Sequence, residues 1–68
     1  MFHPWKRYRH RSCIDLDIVV THIGFRGKDF WKMKIIWVYQ KTNTACTRDS
    51  VKVKIKDFEN WREVPLTQ

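Results

Sequence analysis

Apolar and polar residues alternate along most of this chain. The clearest case is "VKVKIK" (51–56), where Val51, Val53 and Ile55 alternate with Lys52, Lys54 and Lys56. A period of two sends one set to a core and the other to water, as in a half-buried strand. "CIDLDIVVTHI" (13–23) repeats the pattern, with Ile14, Leu16, Ile18 and Val20 on one face and Asp15, Asp17, Val19 and Thr21 on the other. "KDFWKMKIIWVYQ" (28–40) sets Trp31, Met33, Ile35, Trp37 and Tyr39 against Phe30, Lys32, Lys34, Ile36, Val38 and Gln40. Its β-branched and aromatic residues favour strand over helix. Turns are expected at "GFRG" (24–27), with a glycine at each end supplying unusual backbone angles, and at "KTNT" (41–44), with Asn43 left-handed. "DFENW" (57–61) breaks the alternation and reads as one helical turn capped by Asp57. "REVPL" (62–66) reads as a short last strand that Pro65 confines to an edge or a strand end.

Three long strands, two tight turns and a short return strand predict an all-β fold. With a strand near Tyr8–His10 they make a small antiparallel five-stranded SH3-like barrel, with a single helical turn before the last strand. An OB-like barrel ranks second and an open sheet third. Residues 1–12 form a basic, aromatic N-terminal arm and residues 13–66 the β-barrel domain. The layout is similar to short phage- and prophage-encoded SH3-like proteins, through "YRH" (8–10), the aromatic central strand "WKMKIIWVYQ" and the ending "KDFENW". That resemblance spans about residues 7–64. It implies the fold and carries no catalytic residue to this chain. The unbroken "VKVKIK" and the basic arm depart from the pattern.

The expected registers give the lysines neighbours. A three-residue loop at Thr42-Asn43-Thr44 pairs Ile35 with Val51, Met33 with Val53 and Trp31 with Ile55. It also sets Lys34 against Lys52 and Lys32 against Lys54, which costs a few tenths to about 1 kcal/mol per pair. Pairing Val20 with Trp31 across "GFRG" brings Asp17 opposite Lys34, with Asp15 nearby, so Asp17 neutralises part of the row.

Charge then points to a partner. The chain has 68 residues and a net charge of +7. A domain this small buries only about 60% of its unfolded surface, which leaves little room for a catalytic cleft beside a core. The cations are in blocks: Lys6, Arg7, Arg9 and Arg11 in the arm, and Lys52, Lys54 and Lys56 in the basic strand. Such blocks favour an acidic partner, either nucleic acid or an acidic protein surface. In "WKRYRHR", Trp5 and Tyr8 are placed to stack on unpaired bases while Arg7, Arg9 and Arg11 contact phosphates. Lys32 and Lys34 join the basic strand as a stripe on the sheet. The leading expectation is low-specificity nucleic-acid binding. The alternative is a protein-interaction or structural accessory module, a homodimer among its options, built on Phe30, Ile36 and Val38 of the outer face.

Other classes find less support. No C-x-x-C or H-x-x-x-H pair exists among His3, His10, His22, Cys13 and Cys46, so no metal or other cofactor is expected. Cys13 and Cys46 are placed on strands two spacings apart, roughly 9–10 Å, too far for a disulfide. Asp15 and Asp17 share a solvated face beside lysines, which does not suit acid–base catalysis, and no nucleophile or phosphate-loop motif is present. The expected protein is not an enzyme, takes no small-molecule substrate and does not engage a membrane. With no apolar segment for a signal or a span, a cytoplasmic location is expected.

Overall fold

The computed structural model describes residues 2–65, apart from the side chain of Asp49. Met1 and Leu66, the outer limits of the expected arm and barrel, lie outside these residues. The strands are β1 (Arg7–His10), β2 (Leu16–Arg26), β3 (Phe30–Tyr39), β4 (Ala45–Lys54) and β5 (Trp61–Val64). One 3-10 turn, Ile55–Asn60, precedes β5. All strand pairs are antiparallel and the order is β4-β3-β2-β1-β5. The all-β fold and the helical turn before the last strand are therefore present.

The closed barrel is not. β5 spends its whole length on β1, from Trp61 opposite His10 to Val64 opposite Arg7. β4 and β5 are left as the two edges of an open sheet. The 3-10 turn links those edges along the chain, and its Phe58 meets Phe2 at 5.1 Å and Trp31 of β3 at 5.0 Å, both edge-on.

One face of the curled sheet holds the core of Phe2, Tyr8, Ile18, Val20, Trp31, Met33, Ile35 and Val53, with Val51, Ile55, Phe58 and Trp61 packed against it. Alternation in β3 and β4 thus assigns the faces as expected. Residues 7–10 of the arm are an inner strand of the sheet, between β2 and β5. Phe2 folds back into the core, and the backbone reverses at Trp5, whose φ is 65°. Ile14, expected on the core face, precedes β2 and is 80% exposed.

Both hairpins differ in register from expectation. The first turn lies at Gly27–Phe30, closed by Gly27 N–H donating to Phe30 O at 3.0 Å, so Gly24 to Arg26 continue β2. Val20 pairs with Ile35 rather than Trp31, and Asp17 with Val38 rather than Lys34. Bulges at Thr21 and Gly24 turn Val20 and Ile23 to one face and His22 and Phe25 to the other. Neither glycine has a positive φ. Gly27 is needed for space instead, because a Cβ there would lie 2.6 Å from the Phe25 ring and 2.9 Å from Phe30 O.

The second turn does have Asn43 left-handed, at φ 60°. It is longer than expected: Tyr39 N–H donates to Thr44 O at 2.9 Å, and Asn43 N–H to Tyr39 O at 2.7 Å. A bulge opposite Lys34, with Ser50 at φ 59°, adds a further offset. The net result is a two-residue slip. Trp31 faces Val53, and Lys32 faces Lys52. Across Val51–Lys54 the slip is even, so those side chains keep their face, whereas Ala45–Arg48, on the turn side of the bulge, are offset by an odd number and turn over, which sets Arg48 opposite Ile35. Ile55 leaves the strand for the 3-10 turn, where Lys54 is the N-cap and makes no side-chain cap bond. Asp57 sits inside that turn and does not cap it.

Candidate nucleic-acid interface

The arm's cations are largely committed. Arg9 pairs with Asp17 across β1 and β2, and Arg7 stands two residues along on the same face. Asp17 is fully buried and accepts from Arg7 Nε at 2.8 Å, Arg9 Nε at 2.8 Å, Arg9 Nη2 at 3.0 Å and Gln40 Nε2 at 2.9 Å. Burial pushes its carboxyl up, but the bonds and charges of Arg9 and Arg7 outweigh that and hold it below the ordinary value. The expected Asp17–Lys34 pairing is therefore replaced by an arginine clasp. Lys6 lies 3.8 Å from Glu63, both half-exposed. Arg11 borders a shallow depression with Glu59 and Arg62, beside the 3-10 turn.

The arm's aromatics divide. Tyr8 is 4% exposed and its hydroxyl accepts from His3 N–H at 2.7 Å, so it belongs to the core and offers no face to a base. Burial raises its pKa, against the lowering effect of that bond. Trp5 is 66% exposed, with its N–H bonded to Val20 O.

The far end of the sheet is different. On the outer face of β2, β3 and β4, Phe25 is opposite Lys32, His22 opposite Lys34, Lys32 opposite Lys52 and Phe30 opposite Lys54. Phe25 and Phe30 lie 5.4 Å apart, tilted by 41°, and Lys52 Nζ sits 4.6 Å from the Phe30 ring centre. Phe25 is 48% exposed and Phe30 half-buried. A depression of about 290 Å³ runs between His22, Phe25, Lys32 and Lys34. A second, of about 420 Å³, is ringed by Lys28, Phe30, Lys52, Lys54 and Lys56, with Asp29 as its acid. Among the described side chains, none of Lys32, Lys34, Lys52, Lys54 and Lys56 has a carboxylate within ion-pair reach.

The structure thus gathers Lys32, Lys34, Lys52 and Lys54 on one face, with Lys56 just beyond it. It withdraws Arg7, Arg9 and Tyr8, and leaves Lys6, Arg11 and Trp5 elsewhere. Phe25, His22 and Lys28 were not foreseen, because "GFRG" reads as a turn and hides two strand residues. A spacing of three between Val20 and Ile23 was the available signal of a bulge. Of the apolar residues proposed for protein contact, Val38 is buried at 8% exposure, while Ile36 and Phe30 are half-buried. Val38 lies in a row with Asp17 and Arg9, and Ile36 in a row with Val19 and Arg7, so β1 continues the sheet beside them.

A second polar cluster fastens the other end. His10 Nε2 lies 3.1 Å from Asp57 Oδ1, and His10 Nδ1 accepts from Ser12 N–H at 3.1 Å with Ser12 Oγ at 2.7 Å. Asn60 Nδ2 and Trp61 Nε1 also donate to Asp57, at 2.7 and 3.1 Å. Asn60's bond foremost, then His10's, holds the Asp57 carboxyl below its usual range. The order Ser12–His10–Asp57 has the connectivity of a nucleophile relay. The amides flanking Ser12 are already taken, Arg11 N–H by Asn60 O and Cys13 N–H by His10 O, so neither is free to hold an oxyanion. The cluster ties β1 and its following loop to the 3-10 turn. Cys13, in that loop and not on a strand, and Cys46 are free thiols. No helix among the described residues is long and apolar enough to cross a membrane.

No family model, no curated protein and no solved structure matches this chain.

Proposed function

We propose that this chain is a small basic β module that binds nucleic acid with little sequence preference. Its binding face comprises Lys32, Lys34, Lys52 and Lys54 around Phe25 and Phe30. The observation that carries this reading is the opposition of Lys32 and Lys52, with Lys34 and Lys54 on the same face and no described carboxylate in reach of the four, beside aromatic rings. Lysines supply phosphate contacts, and exposed ring faces take unpaired bases. The strand order, with β5 returning to β1 after a 3-10 turn, supports an SH3-like fold whose seam stays unclosed. The similarity to phage-encoded SH3-like proteins and a cytoplasmic location belong to the same reading.

A salt titration of a fluorescein-labelled oligothymidylate tests it. Four phosphate contacts on a single strand give a slope of about −3 in log K against log salt, or about a 50-fold loss between 50 and 200 mM. Lys32→Ala/Lys52→Ala should bring the slope to about −1.5, while Arg11→Ala leaves it near the wild-type value. No binding at 50 mM salt, or a slope unmoved by the double substitution, rejects the reading.

A further inference from the structure

The open seam between β4 and β5 has a chemistry of its own. A groove of about 440 Å³ runs along it, lined by Ile18, Ile35, Trp37, Val51, Val53 and, from the far bank, Trp61. Its banks are the two sheet edges, and an edge presents unpaired N–H and C=O groups to any strand that arrives. Trp37 Nε1 is buried and has no acceptor among the described residues. Charge at the groove is positive. Lys52 and Lys54 border it, and Arg48 lies 5.5 Å from the Trp37 ring centre. Among the described side chains, the carboxylate in the lining is that of Asp57, which is engaged by His10, Asn60 and Trp61.

From these features we infer that the β4 edge accepts an extended segment of a partner protein, apolar on one face and acidic on the other. The segment adds as a strand beside Val51–Lys54, its apolar side chains fill the groove, and its acids meet Lys52 and Lys54. Backbone bonds supply affinity and alternate side chains supply selectivity. Four paired residues span about 13 Å. A second copy is a poor occupant, because each chain carries +7 and symmetric β4 pairing would add lysines to lysines. Nucleic acid offers no strand edge and no apolar row for this floor. The seam shares Lys52 and Lys54 with the lysine–phenylalanine face, but its apolar floor and free strand edge are its own, so the Trp37 indole and the peptide amides read this inference independently of oligonucleotide binding.

The probe is a capped synthetic peptide of alternating glutamate and valine, followed by amide NMR on the intact chain. Saturable shifts are expected at Val51–Lys54 and at the Trp37 indole N–H, with Phe25 and His22 unmoved. Replacing glutamate by lysine in the peptide should weaken binding at least tenfold. N-methylating one alternate set of peptide amides should weaken it similarly, and methylating the other set should change it less than twofold. The inference is overturned by absent shifts, by shifts on the Phe25–Phe30 face alone, or by equal binding of both methylated peptides. Shifts at β4 that depend on protein concentration without peptide overturn it in favour of a second copy.

Discussion

Asp17→Asn is the substitution that most directly tests how the arm is held. The carboxylate is fully buried and accepts bonds from three side chains. Asparagine has a single acceptor oxygen and turns an NH2 group toward guanidinium donors, so at least one pair becomes donor against donor. Breaking one side of a fully buried ion pair costs about 3–5 kcal/mol. The Arg7 and Arg9 side chains are 24% and 39% exposed, and each can turn part of its guanidinium to water. The expected loss is therefore smaller, about 2–3 kcal/mol. Domains have about 0.05–0.15 kcal/mol of stability per residue, or roughly 3–10 kcal/mol at this length. Asp17→Asn thus removes roughly a fifth or more of the total, and Gln40→Ala, which deletes one uncharged donor, about 1 kcal/mol.

Urea denaturation followed by tryptophan fluorescence reads the difference. With a slope of about 1 kcal/mol per molar urea, the midpoint should fall by about 2–3 M. Acid supplies an independent check. Asp17 is held below its ordinary value in the folded chain, so the stability it adds is complete above the unfolded pKa of about 3.9. That contribution is lost as pH falls through the folded pKa. The gap between wild type and Asp17→Asn should therefore narrow in acid. Asp57, lowered in the same direction, makes both proteins acid-labile and does not affect the gap. A midpoint within 0.5 M of wild type at pH 7, or a gap constant down to the acid transition, refutes the clasp.

Lys32→Glu converts the Lys32–Lys52 pair into an attractive one, so urea melts should show a gain of a few tenths to about 1 kcal/mol while oligonucleotide affinity drops. A destabilised or equally tight variant counts against the pairing. Gly27→Ala forces a Cβ onto the Phe25 ring and Phe30 O, and thermal melts should show a loss of about 1–2 kcal/mol. Trp5→Gly relieves a bulky residue at φ 65° whose side chain is 66% exposed, so stability should stay level or rise by up to about 1 kcal/mol. A loss above 1 kcal/mol would mean that the indole packs.

Faces were legible in the sequence and partners were not. Val53, Met33 and Ile35 reach the core because a period of two survives an even slip, and the slip is even across Leu16–Val20 and across Val51–Lys54. Pairing depends on where the extra residues lie. Thr21, Gly24 and Ser50 each absorb an offset, and no local composition distinguishes them from ordinary strand residues. The arginine clasp was hidden for a topological reason. The hairpin sets Asp17 against β3, while its arginine partners come from β1, on the opposite side of β2. His10 and Asp57, 47 residues apart, are likewise joined only by the return of β5 to β1.

The same topology explains why the basic surface is on the sheet and not in the arm. Placing β1 between β2 and β5 sets two arginines above Asp17 and brings Lys6 toward Glu63, so the acids are used where the chain's ends meet. Nothing comparable reaches the tip of β2–β4, where Lys32 and Lys52 remain opposed. Lys52 over the Phe30 ring offsets that by about 0.5–1 kcal/mol, about as much as one like-charge pair costs. The lysine row is therefore close to neutral for folding. Removing the opposition would make the sheet more stable, so stability alone does not explain two lysines facing each other. Under the proposed function a polyanion laid across the face would, since each phosphate it brings would turn a repulsive neighbour into a shared contact.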